Sequence, residues 1–127
     1  MVGKYFLLLT TSGRKSGKPR HTPLEYRYDP SDDSYFIMAG WGGNTDWFRN
    51  VTANPNVSAQ VGRRKFTCRA ERVGDEEVAA KMAETIRINP GSKLLWSRWA
   101  GEEVDDSPES LLRAAKHFPS FRLKPME

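Results

Sequence analysis

Four cationic side chains, Arg14, Lys15, Lys18 and Arg20, fall within seven residues of the stretch GRKSGKPRHTPL (13–24), and no carboxylate precedes Glu25. Guanidinium and ammonium groups gathered on a glycine-containing turn can hold phosphate or carboxylate. They do so through charge-assisted hydrogen bonds, helped by backbone N–H groups around Ser16 and Gly17. A triphosphate-binding loop is a poor reading of this stretch. Only three residues separate Gly13 from the Gly17-Lys18 pair, and Pro19 stands where a magnesium-binding hydroxyl belongs. Strand-like sequence follows instead of the helix that such a loop must open. The remaining choices are an anion-binding hairpin built on Lys15 and Arg20, or a solvated basic turn that aids solubility.

A second stretch, GWGGNTDWFRNVTANP (40–55), sets two indoles on either side of a glycine loop. Aromatic planes can stack on a planar ligand, and glycines let backbone come close to it. The plainer alternative is that Trp47 simply anchors a short helix. Other catalytic constellations are missing. His21 and His117 are the only histidines and have no metal-ligand spacing. No G-x-S-x-G elbow occurs. Cys68 sits in an alternating strand pattern and reads as a packed small apolar residue. Asp75-Glu76-Glu77 reads as a helix N-terminus. A chain so poor in side-chain chemistry either binds something or borrows its chemistry from a cofactor.

The charge distribution points the same way. The first 24 residues hold five of the twenty Lys/Arg and none of the sixteen Asp/Glu, so the whole net charge of +4 resides there. That asymmetry suggests a localised anion site rather than a broad basic face, which argues against nucleic acid as partner. With 38% apolar and 28% charged residues over 127 positions, the chain reads as one soluble globular domain, 1–127. The apolar run from Tyr5 to Leu9 is too short to span a bilayer, and no signal-peptide pattern is present. A lone cysteine is compatible with a reducing compartment, so a cytoplasmic location is the expectation.

These residues need elements to position them. Residues 5–11 read as a buried strand, 21–28 as a second and 34–39 as a third, together an antiparallel meander. Pro23 cannot donate to a ladder, so the second strand should lie at an edge or carry a bulge. Asp46 is the expected cap of a short helix from Trp47 to Ala53, ended by Asn54-Pro55. Strands over 56–61 and 65–73 follow, with Val57, Ala59 and Val61 on one side. A helix from Asp75 to Ile88 places Val78, Met82 and Ile86 along one seam. Helices over 92–100 and 108–117 and a final extended stretch, 119–126, complete the chain. Five or six antiparallel strands with helices mainly toward the C-terminus make an α+β domain, a small β-barrel with attached helices.

LLLTTSGRKSGKPRHTPLEY, then FIMAGWGGNTDWFRNVTANPNV, then KFTCRAERV, in this order and at this separation, resembles the deazaflavin-dependent nitroreductases. That family is a branch of the split β-barrel, flavin-reductase-like (FMN-binding split barrel-like) superfamily. The resemblance runs from about Leu7 to Val73 and weakens toward Phe121-Arg122-Leu123. It implies a small antiparallel split β-barrel and coenzyme F420, an 8-hydroxy-5-deazaflavin with a phospholactyl polyglutamate tail. The implied reaction is hydride transfer from ring C5 to a nitro compound, quinone or activated double bond, with the protein orienting and polarising. On this resemblance Arg14, Lys15, Ser16 and Arg20 line the tail and phosphate. His21, Thr22, Pro23, Leu24 and Glu25 lie along the cofactor, with Pro23 and Leu24 against the rings. Met38, Ala39, Gly40 and Trp41 follow the same wall. The helix start at Asp46, Trp47, Phe48, Arg49 and Asn50 completes the pocket, its N–H groups toward the anion.

The sequence departs from its relatives in the short GGNTDW loop. It also starts almost at the first strand, which implies either a shortened chain or a more open pocket. Trp96 and Trp99 are the candidates for the family's C-terminal aromatic wall. An FMN-dependent reductase and a non-catalytic cofactor or small-molecule carrier are the alternative functions. The expected partner is a small organic acceptor, without membrane insertion, and a homodimer is compatible because split barrels often pair.

Overall fold

The computed structural model describes residues 6–40 and 43–126. Seven strands form one sheet: β1 (Phe6–Ser12), β2 (Pro19–Glu25), β3 (Arg27–Asp29), β4 (Ser34–Met38), β5 (Asn56–Val61), β6 (Arg64–Val73) and β7 (Ser120–Pro125). Four helices accompany it: α1 (Asp46–Ala53), α2 (Asp75–Ile88), α3 (Ser92–Ala100) and α4 (Pro108–Ala115). The chain divides into two compact units, residues 1–38, 45–72 and 121–127 in the first, 39–44 and 73–120 in the second.

In the first unit the strand order is β2-β1-β5-β6-β7-β4-β3. Chain continuity alone curls this sheet. Laid flat, six strand spacings of ~4.8 Å would hold β2 and β3 about 29 Å apart. A single residue, Tyr26, joins those two strands, and two Cα steps reach only ~7.6 Å. The sheet therefore bends back on itself into an antiparallel split β-barrel. The expected three-strand meander is corrected here. The segment 21–28 breaks at Tyr26, and its two halves go to opposite edges of the sheet instead of pairing with a common neighbour. Pro23, which has no N–H to give, accordingly lies on an edge strand, opposite Leu8 of β1.

Strand alternation places the core. Leu7, Leu9 and Thr11 of β1 point inward, and Leu8 points outward. Val57 and Ala59 of β5 and Cys68 and Ala70 of β6 join them, with Ile37, Val51, Phe121 and Leu123. Val61, expected on the same side as Val57 and Ala59, is half-buried. The β5–β6 hairpin turns on two residues, with Gly62 at φ 59°, where a side chain would be strained.

In the second unit α2 buries Val78, Met82 and Ile86, the seam read from the sequence. Three carboxylates occupy its first turn and Arg87 its last, both favourable to the helix dipole. Helix α4 opens on the Ser107 cap, which accepts from Ser110 N, with Pro108 at its first position. It ends at Ala115 rather than near His117. Helices α2 and α4 pack together, and Lys116 reaches Asp75 at 3.4 Å. Trp96 and Trp99 of α3 both approach the Phe118 ring, at 6.4 and 6.3 Å. Among the described residues no helix is long and apolar enough to cross a membrane.

Candidate functional site

The basic stretch forms the bend between β1 and β2, whose register pairs Phe6 with Glu25 and Ser12 with Pro19. Six residues, 13–18, make the bend. Gly13 N–H donates to the Lys18 carbonyl at 2.8 Å, and Gly17 N–H donates to the Gly13 carbonyl at 2.7 Å. Lys18 N–H donates to Ser16 Oγ at 3.2 Å. Gly17 sits at φ 73°, in the region where only glycine is unstrained. A Cβ at Gly13 would come within 3.0 Å of Ser16 Oγ and 3.3 Å of the Lys18 carbonyl, so the bend has no room for a side chain there.

This bend is fastened to helix α1. Asn50, only 3% exposed, receives two hydrogen bonds on Oδ1, from Arg14 N at 3.2 Å and Arg14 Nη1 at 2.9 Å. Its Nδ2 donates to Thr11 Oγ1 at 3.3 Å. Arg14 Nη2 completes the clamp on Asp46 Oδ1 at 3.2 Å. Strand β1, the bend and α1 are thus tied through one buried amide. The helix is capped by Thr45, not Asp46: Thr45 Oγ1 accepts from Phe48 N at 3.4 Å, and Asp46 becomes the first helical residue. Either residue type suits a cap, and nothing in the local pattern separates them. Phe48 and Arg49 N–H are both satisfied by Thr45.

Between bend and helix opens a cleft of about 560 Å³, lined by Arg14, Lys15, Ser16, Arg20, His21, Thr22, Asp46, Trp47 and Asn50, together with Gly13. Its size is that of a small-molecule site. Asp46, its one carboxylate, is paired with Arg14. The Lys15 and Arg20 side chains make no hydrogen bond or ion pair among the described residues and leave the cleft positive. His21 Nδ1 lies 2.8 Å from Thr10 Oγ1, its register partner on β1. Trp47 is buried against Phe48 and Phe121, with ring centroids 6.1 and 6.4 Å away.

The cleft gathers nine of the residues singled out in the sequence and leaves others aside. Pro23, Leu24 and Glu25 continue along β2 beyond it, and Met38 ends β4 half-buried. Phe48 packs on Phe121 at 5.3 Å, with the Arg72 guanidinium 5.3 Å from its ring, and Arg49 faces outward. Ala39 and Gly40 belong to the second unit. There Ala39 is buried and donates to the Pro119 carbonyl at 2.9 Å, and a Cβ on Gly40 would meet the Trp99 indole at 3.7 Å. Trp41 lies outside the described residues. Sequence reasoning missed Gly13, Thr11 and Thr45. Thr11 was legible in principle as the inward position after Leu7 and Leu9.

Cys68 is fully buried, and burial pushes its thiol up to about 12, which makes it a packing residue and not a nucleophile.

Comparison with known proteins places this geometry. The sequence shares 41% identity over 70 residues with an F420H(2)-dependent quinone reductase of Mycobacterium tuberculosis, covering 53% of this chain and 46% of that protein. The chain thus spans about half the length of the curated relatives it matches. Among solved structures, an F420-H2-dependent reductase, FDR-A, superposes with a TM-score of 0.65 at 26% identity, over 95% of each chain. A domain-swapped dimer matches with the same score and identity, over 95% of this chain and 81% of the other. The sequence pattern of F420H(2)-dependent quinone reductases matches residues 1–94, and with a family match over most of its length the chain belongs to that family.

Proposed function

We propose that the protein is a deazaflavin-dependent oxidoreductase that passes hydride from reduced coenzyme F420 to a small organic acceptor, quinones foremost. The observation that carries this reading is the cleft in which Lys15 and Arg20, without partners among the described residues, share one wall system with buried Trp47. A tail bearing a phosphodiester and several carboxylates needs such a cradle, and a cleft whose only carboxylate is already neutralised by Arg14 fits it.

In this reading Lys15, Arg20 and Ser16 hold the anionic tail, while His21, Thr22 and Trp47 bound the path toward the rings. Pro23 and Leu24 extend that path along β2, with Glu25, Met38, Phe48 and Arg49 at its margins. Arg14, Asp46 and Asn50 position the bend on the helix rather than spend their hydrogen-bonding capacity on a ligand. When bound, the reduced deazaflavin supplies a hydride at C5. The chain's own residues anchor the tail, fix the ring orientation and keep the charge of the site complementary. No side chain is assigned a proton-transfer role. A homodimer belongs to the same reading, supported by the domain-swapped neighbour. So does a cytoplasmic location, with which the single buried cysteine is compatible.

The test is turnover. Oxidation of reduced F420, followed by its absorbance, should accelerate with a quinone panel and the wild-type protein, with nitroaromatics and activated enones as further acceptors. Reduced FMN serves as the competing donor. Turnover with FMN alone would overturn the assignment. Binding of reduced F420 without turnover on any acceptor would make the protein a carrier instead.

A further inference from the structure

One residue of the cleft runs against its charge. Asp46 is the single carboxylate among the lining residues, beside the cations Arg14, Lys15 and Arg20. A carboxylate at an anion site repels the ligand, so its presence there calls for a reason. Its side chain is 83% exposed and that of Arg14 28%, which puts the acid outermost, at the rim.

Local structure does not supply the reason. Thr45 caps α1 in place of Asp46 and satisfies both Phe48 N–H and Arg49 N–H. Arg14 is already held without Asp46, since its backbone N–H and its Nη1 both donate to Asn50 Oδ1, at 3.2 and 2.9 Å. An exposed ion pair adds little to stability. An acid in the first turn suits the helix dipole from any face of the helix. Asp46 instead shares with Asn50, one turn on, the face toward the bend, where its Oδ1 accepts from Arg14 Nη2 at 3.2 Å.

The consequence is electrostatic. With Nη1 on Asn50 and Nη2 on Asp46, the Arg14 guanidinium is drawn to the helix and its charge is offset. Of the lining lysines and arginines, Lys15 and Arg20 remain for a ligand. They match a phosphodiester and one carboxylate. A further carboxylate on the ligand meets no additional lysine or arginine of the lining, and it feels the Asp46 charge.

We propose that Asp46 is a specificity-determining residue of the cleft: it keeps Arg14 on the helix and limits the affinity that each additional negative charge on a ligand can add. This rests on the reading that the cleft takes the anionic tail of the coenzyme, and it narrows the preference for long tails over short ones.

Calorimetric titration of wild type, Asp46→Asn and Asp46→Glu with two ligand series tests it. One series is F420 with short and with long glutamate tails. The other is phosphate, pyrophosphate and tripolyphosphate, which probe the response to charge without a ring. Asp46→Asn keeps a side-chain oxygen for Arg14 and should melt close to wild type, because Thr45 carries the cap. Its affinity should rise more steeply along each series, by roughly two- to fivefold for each added ligand charge relative to wild type, and high salt should shrink the difference. Asp46→Glu, which keeps the charge, should keep the wild-type response. A gain equal for all members of a series, no gain, or a loss of affinity in Asp46→Asn would overturn the proposal. So would the same steepening in Asp46→Glu, or the absence of any anion binding. Failure of the coenzyme reading looks different: wild type would then bind F420 of neither tail length, while the phosphate series still steepens in Asp46→Asn.

Discussion

At the scale of single residues, the proposed site divides its polar groups into those that hold the bend and those left over for a ligand. Arg14 and Asn50 belong to the first group and Lys15 and Arg20 to the second. The distinction predicts opposite phenotypes. Asn50→Ala leaves Thr11 Oγ1, at a residue only 2% exposed, and Arg14 N–H without their partner. It should destabilise the protein by ~1–3 kcal/mol, seen as a lower urea midpoint. Lys15→Ala and Arg20→Ala should leave that midpoint within ~0.5 kcal/mol of wild type. Cys68 gives a prediction in pH. Its folded pKa is raised by burial to about 12, so its contribution to stability is whole below the unfolded thiol value of ~8.5 and is lost as pH climbs through about 12. Stability should therefore fall above pH ~8.5, and the fall should be shallower in Cys68→Ala. The native thiol should stay inert to an aromatic disulfide reagent until the chain unfolds.

At the scale of elements, helices α2 and α3 were legible to the residue because their signals are local. A run of acids opens α2, Asn89-Pro90 closes it, and the 3.6-residue period runs between. The bend was equally legible as a hairpin turn crowded with cations, since charge and turn residues declare themselves in the sequence. What could not be read was long-range. The break at Tyr26 that sends β2 and β3 to opposite edges follows from ring closure of the sheet, which no local pattern encodes. The clamp of Arg14 on Asn50 joins residues 36 positions apart, so Arg14 read as one more free cation. The cap of α1 was expected at Asp46 and lies one residue earlier, at Thr45, because either residue type suits a cap and no second cue separates them. The bend and the cap are now open to test. Gly17→Ala should cost ~1–2 kcal/mol, because the φ of 73° is forced there whatever space is available. Thr45→Ala should cost ~1 kcal/mol through the lost cap on Phe48 N. Both are read from denaturant midpoints.

At the scale of the whole molecule, a split barrel places a cationic bend, a capped helix and a buried indole around one cleft. We propose that residues 1–127 behave as one domain, so circular dichroism and tryptophan fluorescence should report a single coincident unfolding transition. Trp47→Ala, which empties a buried site beside Phe48 and Phe121, should lower its midpoint by the equivalent of ~3–5 kcal/mol. The central claim is that Lys15 and Arg20, the two unpaired lysine and arginine side chains of the cleft, grip a multiply negative coenzyme. Its most direct test is a fluorescence titration of wild type, Lys15→Ala, Arg20→Ala and the double variant with F420, with FMN in parallel. Each single change should weaken F420 binding by ~1.5–3 kcal/mol, roughly 10- to 150-fold, and affect FMN less, because FMN carries one phosphate and no carboxylate tail. Equal F420 affinity in wild type and the double variant, with all four proteins folded, would contradict it.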